Sequence, residues 1–333
     1  QYSLQYHRNI DIEYDEKKTY KGAIGYSYSK NPKNYKPFSK VPFLRKHKSL
    51  ALINDFNFNL LPKQIGFRTD VNRMYNENLM RKKTRSIIII NPTYVKTFNW
   101  NRVYDLRYDF SRSLKLDYNA SVQARIDEPA GLVDRGSPSW DNTKDSIWQS
   151  VSDFGRTTNF SQNYNINYAV PINKIPFLDW VNLTTRYGGD YRWTSAPLAT
   201  QFLGNTIENG NKIQVNATGN LVTLYNHVKY LKELNKQNNG RNLSNQRMTQ
   251  FNLPVEKETD DSLKKKINWG KKVLDGSLRL MMMFRNVSFS YSEANGTLMP
   301  GFNQSPSILG MNLGNGAPGW DFVFGSQINI AER

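Results

Sequence analysis

Residues 104–127 read YDLRYDFSRSLKLDYNASVQARID. The even positions are Tyr104, Leu106, Tyr108, Phe110, Arg112, Leu114, Leu116, Tyr118, Ala120, Val122, Ala124 and Ile126; Arg112 alone breaks an apolar or aromatic series. The odd positions, from Asp105, Arg107 and Asp109 through Lys115, Asp117 and Asn119 to Arg125 and Asp127, are all charged, amide or hydroxyl. Successive side chains of a β-strand point to opposite faces, so period two marks a strand with one greasy and one wet side. Ser111-Arg112-Ser113 lies at the middle and reads as a tight turn between two strands.

The same pattern extends outward. Tyr2, Leu4, Tyr6, Ile10, Ile12 and Tyr14 share one parity; Tyr20, Ile24, Tyr26 and Tyr28 make the next group, and Ile65, Phe67, Val71 and Tyr75 another. Phe160, Tyr164, Ile166 and Tyr168 alternate with asparagines, and Val181, Leu183, Tyr187, Tyr191 and Trp193 alternate with Asn182, Thr184, Arg186, Asp190 and Arg192. Ile213, Val215 and Ala217, then Val287, Phe289 and Tyr291, complete the series. The expectation is an all-β chain with nine strands near 2–14, 19–29, 64–77, 97–110, 113–127, 156–170, 179–193, 211–222 and 283–293.

Two architectures accept such strands. A soluble sandwich turns the apolar face inward and uses strands of about five or six residues. A transmembrane barrel turns it to lipid, needs about 9–11 residues per tilted strand, and carries aromatics at the interfaces. The strands here have the longer length, aromatics gather toward segment ends (Tyr187-Tyr191-Trp193), and the opposite face carries full charges. Those features favour one segment of a very large antiparallel transmembrane barrel. Asp105, Arg107, Asp109, Lys115, Asp117, Arg125, Arg186 and Asp190 are then predicted to line its pore, and Tyr104, Leu106, Tyr108, Phe110, Leu116 and Tyr118 to face lipid.

In an antiparallel meander the connections alternate sides. Those at 30–63, 111–112, 171–178 and 223–282 fall on one side, with amphipathic helical stretches near 41–55 and at Leu221, Leu224, Tyr225, Val228, Leu231 and Leu234. The run Leu274, Leu278, Met281, Met282 fits helix or strand, and strand parity selects helix. Connections at 15–18, 78–96, 128–155, 194–210 and after 294 fall on the other side, read as Gly-, Pro- and Asn-rich irregular loops. Longer loops outside and shorter turns in the periplasm are the habit of bacterial barrels.

Composition narrows the function. Hydrophobic residues are 38% of 333 and the longest aliphatic run is Ile87–Ile90, which excludes a bundle of membrane helices. Aromatics at 13% exclude a disordered chain. A net charge of +17 raises nucleic acid as a partner, but the excess sits in 30–63 and in runs such as Lys264-Lys265-Lys266, with no nucleic-acid-binding motif; loops near anionic head groups account for it. There is no cysteine, hence no disulfide and no thiolate metal site. His7, His47 and His227 lack metal-ligand spacing, no nucleophile elbow or phosphate loop occurs, and Asp127-Glu128 reads as solvated acids at a strand end. No enzyme, metal or cofactor is expected. The chain opens already in alternating pattern and is expected to be a segment of something longer.

Several short motifs then fall in order along the chain: Arg8-Asn9-Ile10-Asp11-Ile12-Glu13-Tyr14-Asp15, Lys18-Thr19-Tyr20-Lys21-Gly22, Asp55-Phe56-Asn57-Phe58, Phe98-Asn99-Trp100-Asn101-Arg102, Ala124-Arg125-Ile126-Asp127-Glu128-Pro129, Phe154-Gly155-Arg156-Thr157-Thr158-Asn159 and Ala317-Pro318-Gly319-Trp320. Together they resemble the SprA/Sov family, the outer-membrane translocons of the type IX secretion system of Bacteroidota, whose members are several times longer. The resemblance implies a conduit passing folded cargo from periplasm to cell surface, surface adhesins of gliding species included. It implies as partners a small PorV-type barrel, a plug protein and periplasmic components linked to an inner-membrane motor. Rival readings are another outer-membrane barrel (a porin or TonB-dependent transporter) and a soluble β-rich binding module or adhesin.

Overall fold

A computed structural model describes residues 1–43, 50–83, 89–132, 136, 140–235, 269–307 and 309–327. Its strands are β1 (Tyr2–His7), β2 (Ile12–Ser29), β3 (Asn34–Tyr35), β4 (Phe58–Asn59), β5 (Gln64–Met80), β6 (Thr93–Asp109), β7 (Leu114–Arg125), β8 (Arg156–Val170), β9 (Val181–Thr194), β10 (Asn205–Asn220) and β11 (Asn286–Phe302). Nine of them form one open antiparallel sheet in the order β1-β2-β5-β6-β7-β8-β9-β10-β11, so every strand pairs with its sequence neighbour; β3 and β4 make a separate two-stranded pair. The protein is therefore all-β in its framework. Its helices are α1 (Ala51–Asn54), α2 (Trp140–Ser152), α3 (Leu221–His227), α4 (Trp269–Met281) and α5 (Trp320–Val323). No described helix is long and apolar enough to cross a membrane.

The first hairpin corrects the expected one. The strand expected over 2–14 is broken after His7, and the turn expected at 15–18 does not exist, because β2 runs unbroken from Ile12 to Ser29. Asn9 makes the real turn: its Oδ1 accepts the amide hydrogens of Asp11 (2.9 Å) and Ile12 (2.7 Å), which folds the chain back without help from a tertiary partner. Tyr14 and Tyr20 have the same parity, so the aromatic series passes through Glu16 and Lys18; these two neutralise one another at 3.0 Å on that face. Two charges in an aromatic series look like a turn in sequence and are a paired interruption in space.

Two strands outrun their expected lengths for a related reason. β10 begins at Asn205, not 211, and β11 continues to Phe302, not 293, so 294–302 is strand and not loop. Asn209, Asn211, Glu293, Asn295 and Thr297 fall at apolar parity there, and the alternation fails although the ladder continues from Asn205 opposite Phe302 to Asn220 opposite Asn286. The connection 128–155, expected to be irregular, contains α2, which spaces Ile147, Trp148 and Val151 on one side. Phe154 (φ 62°) and Gly155 (φ 72°) end it by reversing the chain into β8.

The helical stretches lie close to where periodicity puts them. α3 begins at Leu221, capped by the Asn220 side chain accepting from Thr223 N–H, and residues 229–235 continue as helix after a break at Val228. With α4 they bury Tyr225, Leu234 and Met282 in a small core of their own. Residues 236–268, in the middle of the expected 223–282 excursion, and 44–49, inside the expected 41–55 stretch, lie outside the described residues.

Candidate functional site: the two faces of the sheet

The ladder fixes which side chains share a face. Tyr28, Ile65, Leu106, Tyr118 and Tyr164 are successive cross-strand partners, and the row continues through Gly189 and Asn211 to Asn295. All six residues expected to meet lipid stand on this aromatic side, Phe110 just beyond the end of β6. The eight residues expected to line a pore stand on the other side: Arg107 pairs with Asp117 in register, Asp109 with Lys115, and Asn163 with Asp190.

Charges on the polar face are mostly answered locally. Arg107 Nε donates to Asp117 Oδ1 at 2.8 Å, Asn119 Nδ2 donates to Asp105, and Arg186 Nε donates to Asn167 Oδ1 at 2.6 Å. Asn101 donates to Asp70 at 3.0 Å, and Arg192 stands 3.6 Å from Glu208. Of Asp127 and Glu128, both expected to be solvated, Asp127 is half exposed while Glu128 is buried, and each is held by an arginine. Arg156 binds Asp127 through two hydrogen bonds, of 2.7 and 3.1 Å, and Arg73 binds Glu128 through two, of 2.5 and 2.9 Å. The Glu128 side chain is 3% exposed. The guanidinium of Arg156 holds the Asp127 carboxyl below its usual range.

The aromatic face is not uniform. Let the near end of the sheet be the one carrying the connections at 30–63, 110–113, 171–180 and 221–285. Moving from it, the first charged or amide residue on this face is Lys18 in β2, Arg73 in β5, Arg102 in β6, Gln162 in β8, Asn211 in β10 and Glu293 in β11; β1, β7 and β9 carry none on this face. Arg73 stands opposite Tyr20, Arg102 on the row of Ile24, Gln162 on that of Tyr26, Asn211 on that of Tyr28, and Glu293 two residues beyond. The boundary moves twelve residues along the strands in seven strand-to-strand steps. At about 3.3 Å per residue and 4.8 Å per strand this is roughly 40 Å against 34 Å, an inclination of about 50° to the cross-strand rows.

Burial changes across this line. On its near side Ile24 (72% exposed), Tyr26, Val287 and Phe289 (62%) are open, although Tyr164, just short of Gln162, is buried; on its far side Phe160, Tyr191, Trp193 and Ile207 are buried, Ile207 completely. Tyr191 and Trp193, read from sequence as aromatics gathered toward a segment end, are sealed by the chain that follows β11 (residues 303–307 and 309–327), which brings Met311, Phe322 and Val323 onto them. Face side chains tie that segment down by its carbonyls. Tyr164 and Tyr187 both donate to Phe324 O (2.6 and 2.9 Å), Asn209 to Phe322 O and Ser326 O, Asn211 to Gly325 O, and Trp193 to Gln304 O. Gly189 makes room: a Cβ there would lie 2.1 Å from Tyr164 Oη, so the ring can cross that strand only over a glycine. Nothing in residue type or spacing marks this docked segment in the sequence.

Two other parts of the chain touch the aromatic face. Phe154 stacks beside Trp100 with the Arg102 guanidinium 5.2 and 5.3 Å from the two rings, and Arg102 is 8% exposed. At the near end Asn59 N–H donates to Phe110 O and Tyr108 Oη donates to Asn59 O, so Tyr108 and Phe110 border the chain's own 55–59 segment as well as open space. There Lys174 Nζ meets Asp55 Oδ2 at 2.6 Å and holds that carboxyl below its ordinary value. Among the described residues no group of three or more His, Asp or Glu is placed to hold a metal ion. No family model and no curated protein matches this chain.

Proposed function

We propose that the chain is part of an outer-membrane β-barrel that conducts folded proteins to the cell surface, as its resemblance to the SprA/Sov translocons implies. The observation carrying the membrane reading is the inclined boundary. Strands of transmembrane barrels lean about 35–45° from the bilayer normal, so a flat lipid interface must cross the cross-strand rows at that angle. A line at about 50°, open aliphatic and aromatic side chains on one side of it, and an opposite face of Asp, Arg, Lys, Asn and Ser fit a wall between lipid and water. On β2 the apolar stretch from Tyr20 to Tyr28 is nine residues, near the 9–11 that crossing requires.

The transport reading goes further. On the polar face Arg107 is answered by Asp117 and Arg192 by Glu208, and such pairing leaves a passing protein fewer charges to adhere to, which suits a conduit. The drive is read as coming from periplasmic partners linked to an inner-membrane motor, as the resemblance implies. A PorV-type barrel and a plug protein would complete the assembly. The chain is read as a channel component and not as an enzyme.

One observation favours a soluble module instead: Phe160, Tyr191 and Trp193 are sealed by the chain itself. The two readings separate at Phe289 and Ser290, neighbours on opposite faces of β11. The chain has no cysteine, so Phe289→Cys and Ser290→Cys each introduce a single thiol for a spin label. In vesicles, the label at 289 is expected to collide with lipid-dissolved oxygen and that at 290 with a water-soluble nickel chelate. Equal access of the chelate to both overturns the barrel.

A further inference from the structure

One stretch of the polar face gathers cations without acids in its lining. At the near end of β7–β10, Lys115, Asn167, Arg186 and Gln214 are successive partners on a single cross-strand row, which continues on β6 to Asp109, an acid that stands 3.9 Å from Lys63 and outside the lining. One pair of residues nearer the end, Ala169, Thr184 and Asn216 form the next row, with Arg112 reaching in from the tight turn at 111–113. Together they line an open concavity of about 550 Å³ whose floor is low because Ala169 has no side chain beyond Cβ. Three cations and no carboxylate face it. Elsewhere on this face arginines meet acids, Arg107 with Asp117 and Arg192 with Glu208; here Arg186 spends Nε on a neutral amide, Asn167 Oδ1.

We infer that this concavity binds an acidic stretch of extended polypeptide. Lys115 and Arg186 sit two strands apart, about 10 Å, which matches side chains two to three residues apart on an extended chain. The remaining lining favours a peptide over a bare phosphate. Gln214 offers a donor and an acceptor, the complement of a peptide group, while Asn167 and Asn216, whose oxygens already accept from Arg186 Nε and Ser290 Oγ, keep their amide N–H donors for peptide carbonyls; phosphate at neutral pH is chiefly an acceptor and leaves the Gln214 oxygen unanswered. Arg186 keeps its terminal nitrogens for a carboxylate, and Arg112 adds attraction at the rim. This deepens the conduit reading by assigning the near-end opening of the polar face a preference for acidic segments, and it rests on that reading only for its biological setting.

The test is fluorescence anisotropy with the purified full chain in detergent. The probe is a labelled peptide of alternating glutamate and serine, and its glutamine counterpart and inorganic phosphate are run beside it. The glutamate peptide is expected to bind and the glutamine peptide to bind at least tenfold more weakly. Lys115→Gln and Arg186→Gln are each expected to weaken binding by roughly tenfold or more, the loss of one charge-assisted hydrogen bond. Lys212→Gln, on the same face but outside the lining, is the control and should leave binding unchanged. Equal binding of the two peptides, insensitivity to both lining substitutions, or displacement by phosphate at the peptide's own concentration overturns the inference. The measurement needs no membrane, so a chain that binds the glutamate peptide yet fails the spin-label test loses the barrel and keeps this site.

Discussion

Lysine in place of Ile24 discriminates between lipid and water at the aromatic face. Ile24 lies on β2 among Tyr20, Gly22, Tyr26 and Tyr28 and is 72% exposed, with Thr69 opposite it on β5. If water is its neighbour, Ile24→Lys removes almost no packing and adds a solvated charge, and surface changes of that kind stay within about 0.5 kcal/mol. If acyl chains are its neighbour, the ammonium must leave water or snorkel, at about 2–4 kcal/mol for a lysine near the bilayer midplane and about 0–1 near an interface. Ile24 is six residues from the polar boundary at Lys18, roughly 20 Å along the strand at about 3.3 Å per residue and about 13 Å in depth once the strand leans by 50°. That places it well within the apolar layer, so the full cost of about 2–4 kcal/mol is expected. Asn295→Lys is the matched control: it shares a cross-strand row with Tyr28, yet it lies beyond the boundary on its own strand, and its expected cost is about 0–1 kcal/mol. The assay is reversible urea unfolding from lipid vesicles, followed by tryptophan fluorescence. If Ile24→Lys unfolds within about 0.5 kcal/mol of the parent chain, or Asn295→Lys costs as much, the inclined boundary is not a lipid interface.

Other outcomes follow from the same geometry. Gly189→Ala must displace Tyr164 and so loses its bond to Phe324 O; overpacking and the lost bond together are expected to cost about 2–4 kcal/mol. In a Tyr164→Ala background the same change should cost under about 0.5 kcal/mol, and additivity in this double-mutant cycle refutes the contact. Phe322→Ala, at a site 2% exposed, should loosen residues 303–327 by about 3–5 kcal/mol, read as faster proteolysis of that segment with the rest of the sheet intact. Asp55, whose carboxyl is held below its ordinary value of 3.8 by Lys174, contributes stability that is fully present above that ordinary value. The contribution is lost as pH falls through the lower, folded value. Hydrogen-exchange protection of the Asn59 amide should therefore be flat from pH 7 to pH 5 and drop only below about pH 4, and Lys174→Met should remove that acid step.

The sequence carries the sheet wherever alternation is unbroken. β7 and β8 need only period two, and Leu114–Arg125 and Arg156–Val170 fall within two residues of the expected 113–127 and 156–170. Alternation misleads where a polar residue on the aromatic face is satisfied by something distant. Glu16 and Lys18 satisfy each other and hide the continuity of β2; Asn209 and Asn211 are satisfied by carbonyls more than 110 residues away and hide the start of β10. The same applies to the candidate surface. Parity alone assigns Tyr118 and Asp117 to opposite faces, but it cannot show that Tyr191 and Trp193 lie under another part of the chain, since that depends on where residues 303–327 fold.

In the proposed barrel, strand length accounts for one face being both open and sealed. β2, at 18 residues, is about 60 Å long at roughly 3.4 Å per residue, and a lean of 50° reduces that to about 39 Å of height. The apolar band of an outer-membrane barrel is about 25 Å tall, so a strand of this kind projects roughly 14 Å past the lipid. Over that projection the outer face of a barrel has water for a neighbour and must be polar or covered by protein. On β2, β5 and β6 it is polar, through Glu16, Lys18, Arg73, Glu77 and Lys96, which cluster with Tyr14 and Tyr75. On β8, β9 and β10 it remains aromatic, and there residues 303–327 lie over it. In the proposed barrel the sealed patch and the open belt would thus meet different surroundings at different heights on the same strands.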